Sequence, residues 1–232
     1  VLGAGVMGAQ IAAHLANVKV PVVLFDLPAK EGDKNGVVKK ALDGLKRQQP
    51  SPLVTRDKLQ YIDAANYEEH LELLSGCDLI IEAIAERMDW KNDLYSKIAP
   101  FLPSTAVIAS NTSGLSINAL ADGLPEVLRP NFCGIHFFNP PRYMPLVEII
   151  ATRSTDPATL DGLESWLTSR LGKGVVRALD TPNFVANRIG VFSILAVMHH
   201  TAAFGLGLDT VDGLTGPKIG RPKSATYRTG DV

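Results

Sequence analysis

A histidine and a glutamate on two successive apolar runs are the residues of this sequence best suited to proton transfer. His136 follows the apolar stretch 132–135 and precedes an Asn-Pro turn, so we expect it at the exposed end of a buried strand. Glu148 lies within the next strand-like run, 146–150, where a buried carboxylate needs a partner. A carboxylate bonded to one ring nitrogen would raise the basicity of the other nitrogen, which favours a general base. A buried histidine beside a strand glutamate with no chemical role is the alternative, because the spacing is the same.

A glycine-rich turn near the start of the chain has the features of a dinucleotide-binding loop. It follows a short apolar stretch and precedes apolar residues at helical spacing, which predicts a strand, a turn and a helix. In such a loop Gly3 permits the tight turn, Gly5 leaves room for a pyrophosphate and Gly8 lets the helix pack close to the strand. Val6 and Met7 would then open the helix, whose N-terminus favours phosphate groups.

The second predicted strand ends in a carboxylate. The apolar run 22–25 is followed by Asp26, which lies 18 residues after Gly8. A carboxylate about 20 residues beyond a glycine loop holds the adenosine ribose hydroxyls in dinucleotide-binding folds. Asp26 therefore predicts NAD as the cofactor, and a helix cap or turn residue is the alternative interpretation.

The remaining apolar runs alternate with helical patterns, as in an α/β protein with a parallel sheet. Further strands are expected at 78–84, 106–109 and 175–178, and helices at about 88–98 and 156–171. Ser113 lies in a cluster of small polar residues after the strand at 106–109, where side chains would line the cofactor edge of the sheet; ordinary helix caps have the same composition. We therefore expect a Rossmann-type, doubly wound α/β domain over residues 1–180.

A second domain is expected after residue 180. The strand pattern ceases there, and a helix of about twenty residues begins near Phe184. Residues 181–232 predict the start of an all-helical C-terminal domain that is truncated at Val232, and the chain also looks trimmed at Val1. The apolar run 189–204 is shorter than the roughly 20 residues that a membrane span needs, so it predicts a buried helix.

Composition excludes several classes of partner. The 232 residues carry a net charge of −1 with both signs interspersed, so neither nucleic acid nor a membrane is predicted as a partner. Cys77 and Cys133 lie in apolar contexts without the paired spacing of a zinc site, and no metal is expected. They are typical of reduced core thiols, which favours a cytoplasmic protein.

These motifs together resemble the 3-hydroxyacyl-CoA dehydrogenase family over nearly the whole chain. The matching residues are Gly3 to Gly8, Asp26, Glu82 to Glu86, Lys91, Ser110 to Ser113, His136 to Pro140, Glu148, Asp180 to Phe184, Asn187 and Arg188. The His-Phe-Phe-Asn-Pro and Ser-Asn-Thr-Ser blocks are specific, whereas the glycine loop is not. Arg142, Tyr143 and the run 215–224 resemble a branch of the family found in long, multidomain fatty-acid β-oxidation proteins.

The resemblance implies oxidation of a (3S)-3-hydroxyacyl-CoA to the 3-ketoacyl-CoA by NAD. His136 would remove the proton of the 3-hydroxyl group, and Glu148 would orient His136. Ser113 and Asn187 would hydrogen-bond the reacting oxygen or the thioester.

The resemblance also implies cofactor contacts and partners. Asn139 would help to place the nicotinamide and the substrate, while Glu86 and Lys91 would contact the cofactor. An acyl-CoA substrate is expected, together with either a homodimer or a place in a longer multidomain chain. Two alternatives remain at this point: another Rossmann-type 3-hydroxyacid dehydrogenase, and a structural protein that binds a dinucleotide without catalysis.

Overall fold

Seven strands form one sheet in the computed structural model, which describes residues 1–230. The strands are β1 (Val22–Asp26), β2 (Ile62–Asn66), β3 (Leu79–Glu82), β4 (Val107–Ser110), β5 (Phe132–Phe137), β6 (Leu146–Ala151) and β7 (Gly174–Ala178). The pair β2-β1 and the run β3-β4-β5-β6-β7 lie on either side of residues 1–3. Leu2 donates its backbone N–H to Ile81 and Gly3 donates to Phe25, both at 2.8 Å, so this segment joins the two parts.

The strand directions set the edge at which the polar side chains gather. The pairs β1–β2, β3–β4, β4–β5 and β6–β7 are parallel, and only β5 and β6 are antiparallel. The carboxyl ends of the parallel strands β1 to β5 therefore meet at one edge, where ligands bind in open α/β sheets.

Helices cover both faces of the sheet. The helices of this part are α1 (Val6–Asn17), α2 (Gly36–Leu45), α3 (Met88–Ile98), α4 (Ile117–Asp122) and α5 (Pro157–Leu171). One buried apolar cluster contains Ile11 of α1 and Leu167 of α5, and a second contains Ile98 of α3 and Leu120 of α4. Because each cluster takes side chains from different helices, helices cover both faces of the sheet. The predicted doubly wound fold is therefore confirmed.

Local signals place the ends of the helix α5. Asp156 caps it by accepting a hydrogen bond from the backbone nitrogen of Ala158 at 2.8 Å, and Pro157 occupies the first helical position. Gly172 ends the helix with φ 65, a left-handed conformation that costs glycine little. The predicted helix at 156–171 is confirmed by these contacts.

The sequence did not predict β2. Ile62–Asn66 contains two alanines, an aspartate and an asparagine, which are depleted in strands, so the propensity signal was weak. The segment becomes a strand because it pairs in parallel with β1 over all five positions. The strand expected at 78–84 is also shorter than predicted, since Glu82 accepts the backbone N–H of Ile84 at 2.7 Å and turns the chain.

The chain divides into two units, Val1–Phe184 and Val185–Val232. The domain boundary that was expected after residue 180 lies inside the first unit. The described part of the second unit contains the helices α6 (Ala186–Phe204), α7 (Leu208–Thr215) and α8 (Tyr227–Gly230), with no strand from 185 to 230. Asp231 and Val232, at which the domain was expected to be truncated, lie outside the described residues.

The expectation that residues 189–204 form a buried helix is wrong. The helix α6 forms, but Ile189, Phe192 and Phe204 are 64%, 72% and 72% exposed, and Thr201 is the buried residue of this helix. Apolar composition favours burial only where another surface covers the helix, and these three side chains stay exposed.

Candidate active site

His136 and Glu148 face each other across the antiparallel strands β5 and β6. They are direct partners in the register of the two strands, and the ring Nδ1 of His136 lies 2.8 Å from Oε2 of Glu148. Both side chains are closed off from solvent, with exposures of 4% and 0%. The two residues that the sequence placed on successive strands are therefore in hydrogen-bond contact.

This contact determines which nitrogen of the imidazole can take a proton. An ionised carboxylate only accepts hydrogen bonds, so Nδ1 of His136 is the donor in this contact and Nε2 is the ring nitrogen left for another partner. The rings of Phe138 and Phe184 lie beside the imidazole, with centroids 4.5 Å and 5.6 Å from its own. The pair can accordingly accept a proton at Nε2, in a position that aromatic side chains border.

Ser113 lies in the loop after β4, and the carboxylate of Glu86 organises that loop. Oε1 of Glu86 accepts hydrogen bonds from the backbone nitrogens of Ser113 at 2.9 Å and Gly114 at 3.1 Å, and from the hydroxyl of Thr112. Burial by itself raises the pKa of Glu86, but these hydrogen bonds and the nearby Lys91 outweigh it, so the pKa lies below its usual value. Glu86 is thus ionised at neutral pH and fixes the backbone that carries the Ser113 hydroxyl.

Lys91 lies behind Glu86 in a buried ionic cluster. Its ammonium is 2.6 Å from Oε1 of Glu82 and 3.7 Å from Oε2 of Glu86, and its side chain is 1% exposed. Tyr95 and Ser110 donate hydroxyl hydrogen bonds to the other oxygen of Glu82, at 3.1 Å and 2.7 Å. Lys91 therefore supports Glu86 from the interior, and a direct contact of Lys91 with the cofactor stays a prediction.

Two residues of this edge were missed by the sequence reasoning. Glu82 was not chosen as a site residue, although a carboxylate at the end of an apolar strand was an available signal. Asn111 accepts the backbone N–H of Phe137 at 3.0 Å through Oδ1, which connects the Ser113 loop to the strand of His136. No local pattern distinguishes Asn111 from an ordinary loop amide, because its partner lies 26 residues away.

The glycine loop has the geometry that a dinucleotide needs. Gly3 has φ 101, and a Cβ there would lie 2.7 Å from the carbonyl oxygen of Ala83. A Cβ at Gly8 would lie 1.8 Å from the carbonyl oxygen of Gly3, so neither position accepts a side chain. A Cβ at Gly5 would meet no atom within 4 Å, which leaves space before the first turn of α1 at Val6 and Met7. Backbone N–H groups of that turn are available to a phosphate.

Asp26 ends β1 directly beside this loop. Its Oδ2 accepts the backbone N–H of Ala4 at 2.6 Å, and its Oδ1 accepts that of Leu27 at 2.7 Å. The carboxylate is partly exposed at the carboxyl edge of the sheet, where ribose hydroxyls could replace or share these contacts. The residues present at this edge therefore fit NAD.

Asn139 and Asn187 occupy different units. Oδ1 of Asn139 lies 3.4 Å from Nε2 of Gln10, a buried residue of α1 that the sequence reasoning did not identify. This contact places Asn139 beside the helix that follows the glycine loop. Asn187 lies in the first turn of α6 in the second unit, and its role in catalysis stays a prediction.

The described residues offer no arrangement for metal chemistry or membrane crossing. Within 1–230 no three His, Cys, Asp or Glu side chains are grouped as metal ligands. No helix of the same region has both the length and the hydrophobicity to traverse a bilayer. Cys77 and Cys133 are free thiols, and burial raises the pKa of Cys133 to about 12, which makes it a poor nucleophile.

Comparison with known proteins gives a consistent family assignment. The family model described as "3-hydroxyacyl-CoA dehydrogenase, NAD binding domain" matches residues 1–181. A probable 3-hydroxyacyl-CoA dehydrogenase of Deinococcus radiodurans is 44% identical over 234 residues, covering 100% of this chain and 67% of the relative. A putative fatty acid oxidation complex trifunctional enzyme of Rickettsia prowazekii is 40% identical over 233 residues, covering 100% of this chain and 32% of the relative.

A solved structure of a similar enzyme also matches the fold of this chain. The crystal structure of (S)-3-hydroxybutyryl-CoA dehydrogenase from Ralstonia eutropha superimposes with a TM-score of 0.77 at 30% identity. The match covers 91% of this chain and 74% of that chain. The sequence thus spans most of that enzyme but about a third of the Rickettsia relative.

Proposed function

The chain belongs to the 3-hydroxyacyl-CoA dehydrogenase family, and we propose that it oxidises (3S)-3-hydroxyacyl-CoA to 3-ketoacyl-CoA with NAD in fatty-acid β-oxidation. The observation that carries the proposal is the buried pair of His136 and Glu148, with Nδ1 and Oε2 2.8 Å apart. This pair lies on strands next to the loop of Ser113, at the sheet edge that also carries the glycine loop and Asp26. In this proposal one edge of the sheet carries both the base and the place for the dinucleotide.

His136 acts as the general base in this proposal. Its Nε2 accepts the proton of the substrate 3-hydroxyl group, and the electron pair of the O–H bond forms the second C–O bond of the ketone. When bound, NAD supplies the acceptor for the hydride that leaves C3. Glu148 stabilises the imidazolium that forms and keeps Nε2 directed away from the strand pair, because Nδ1 stays bonded to its carboxylate.

The other proposed contacts hold the reacting groups in place. Ser113, on the backbone fixed by Glu86, would donate a hydrogen bond to the 3-oxygen or to the thioester carbonyl. Asn187 would make a similar contact, and Asn139 would help to orient the nicotinamide against the substrate. These hydrogen bonds stabilise charge that develops on oxygen during the transfer.

The proposal extends to partners and location. An acyl-CoA is the proposed small-molecule partner, and either a homodimer or a longer multidomain chain is the proposed assembly; the relatives that exceed this chain in length support the second form. A cytoplasmic location is proposed because both cysteines are unpaired, as expected in a reducing compartment.

Absorbance of NADH tests the function. We expect the protein to consume NADH with acetoacetyl-CoA, and His136→Gln to lower kcat by a factor of about 10²–10⁴ while NADH binding is retained. Glu148→Gln should lower kcat by a similar or smaller factor and shift the acid limb of the pH–rate profile to lower pH. His200→Gln, which changes an exposed imidazole of α6, is the matched control. Full activity of His136→Gln would show that the base is another group.

A further inference from the structure

The segment 179–184 connects β7 to α6 and is tied to the helix α4 by one carboxylate. Asp180 accepts four hydrogen bonds: from the hydroxyl of Ser116 at 2.7 Å, from the backbone nitrogens of Ile117 and Asn118 at 2.9 Å each, and from Nδ2 of Asn118 at 2.7 Å. Burial alone raises the pKa of Asp180, but these donors outweigh it and the pKa lies below its usual value. Asp180 is thus ionised at neutral pH and anchors the segment.

Two residues at the end of this segment have left-handed backbone conformations. Asn183 has φ 62 and Phe184 has φ 48. Asparagine tolerates this region, whereas phenylalanine is strained there, and such residues persist where their surroundings determine the conformation. The backbone nitrogen of Phe184 donates to the carbonyl of Thr181 at 2.9 Å, which closes the turn. The segment therefore places the Phe184 side chain at a defined point.

The Phe184 ring lies against the imidazole of His136. The Phe184 side chain is 2% exposed, and its ring meets the His136 ring edge-on, with centroids 5.6 Å apart and an interplanar angle of 61°. The imidazole turns about its Cβ–Cγ bond, and the hydrogen bond between Nδ1 and Glu148 limits this rotation. Contacts from Phe184 and, at 4.5 Å, from Phe138 restrict that rotation.

We propose that Phe184 is a positioning residue for His136: its ring holds the plane of the imidazole so that Nε2 points to the substrate hydroxyl, and it keeps water from that side of the ring. The inference rests on the proposed function, because it assigns Phe184 a task only if His136 is the base. The anchor at Asp180 and the left-handed turn serve to place this ring. A misplaced base loses rate sharply, since proton transfer depends on close geometry.

Replacing the Phe184 ring by an aliphatic side chain tests the inference. Phe184→Leu keeps an apolar side chain but removes the flat edge, and we expect kcat to fall by about tenfold or more while the dissociation constant of NADH stays within about twofold. In nitrogen-15 NMR spectra of histidine-labelled protein without ligands, the ring signals of His136 should broaden or shift toward a mixture of tautomers. Phe132→Leu is the matched control: this phenylalanine is equally buried on β5, but its ring packs on Tyr95.

The outcomes separate this inference from the proposed function. If wild-type protein is active, His136→Gln is inactive, and Phe184→Leu keeps both its kcat and its His136 signals, the inference is overturned while the proposed function stands. If the wild type has no activity, the proposed function fails, and the NMR signals still show whether Phe184 holds the ring. Circular dichroism of each variant checks folding, and changes in Phe132→Leu as large as those in Phe184→Leu would also overturn the inference.

Discussion

The Oε1 atom of Glu86 lies 2.9 Å from the backbone nitrogen of Ser113, so a side chain that follows β3 fixes the loop that follows β4. The ammonium of Lys91 lies 3.7 Å from Oε2 of the same carboxylate, on its buried side. A residue that the sequence suggested as a cofactor contact thus also holds the loop of a proposed substrate contact.

Removing the Glu86 carboxylate should loosen that loop. We expect Glu86→Ala to lower kcat/KM by about tenfold or more, because the Ser113 hydroxyl loses its fixed backbone. Amide hydrogen exchange at Ser113 and Gly114 should become faster in the same variant. Glu126→Ala, which changes an exposed glutamate, serves as the control. Unchanged exchange rates at the two amides would contradict the role given to Glu86.

Asp26 should determine the preference for NAD over NADP. The carboxylate at the end of β1 would meet a 2′-phosphate with like charge, so Asp26→Ser should raise the ratio of kcat/KM for NADPH to that for NADH by at least about tenfold. The measurement is steady-state kinetics with both cofactors. Asp122→Ser removes the same charge from an exposed position at the end of α4 and should leave the ratio unchanged. Equal use of both cofactors by the wild type would refute this interpretation.

Loss of Lys91 should destabilise the protein, because it leaves the Glu82 carboxylate buried without its cation. We expect Lys91→Met to lower the free energy of unfolding by about 3–5 kcal/mol. The double variant Glu82→Gln/Lys91→Met should recover part of that loss, since it removes both charges. Urea unfolding measures each value, and Lys97→Met, an exposed lysine of the same helix, should change stability little. A double variant no more stable than Lys91→Met would argue against the pairing.

Acid should destabilise the protein through His14. Burial, with Lys173 and Arg142 nearby, lowers the pKa of His14 to about 4, and neither ring nitrogen hydrogen-bonds to a described residue. The unfolded chain therefore binds a proton that the folded protein does not, once the pH falls below 6.5. Between pH 6.5 and about 4 this difference should cost up to about 3 kcal/mol of unfolding free energy, and the stability contribution is fully present above pH 6.5.

Substitution of His14 isolates that contribution. His14→Leu should flatten the pH dependence of the unfolding free energy between pH 6.5 and about 4, as measured by urea unfolding at several pH values. His200→Gln, which changes an exposed histidine, should retain the wild-type slope. Parallel slopes for wild type and His14→Leu would mean that another group takes up the proton.

Short-range sequence signals predicted much of the fold. The glycines at 3, 5 and 8, the carboxylate of Asp26, and the caps of α5 at Asp156 and Gly172 belong to short motifs with recognisable spacing, so they are readable from a single sequence. Their contacts are not all local, since Gly3 packs against Ala83 and Asp26 accepts the backbone N–H of Ala4. The strands that carry His136 and Glu148 were recognisable because continuous apolar runs mark buried strands. The proposed roles of these residues in catalysis stay predictions.

Contacts between distant segments account for what the sequence did not show. β2 has a weak propensity and forms through its pairing with β1, and the burial of Lys91 depends on Glu82 across a turn. The approach of Phe184 to His136 depends on Asp180, whose hydrogen-bond partners Ser116 and Asn118 lie 64 and 62 residues away from it along the chain. The exposure of α6 was likewise not predictable, because its apolar sequence does not show whether another surface covers the helix.

The antiparallel register of β5 and β6 determines that His136 faces Glu148. Successive side chains of a strand point to opposite faces, so a slip of one residue would set Val147 or Ile149 against His136 and turn Glu148 to the other face of the sheet. The ladder of β5 and β6 sets this pairing, whereas the positions of Phe138 and Asn139 depend on the conformation of the loop 138–145. A graft of this hairpin into another sheet would therefore carry the pair with it, provided that the strands are transferred in register.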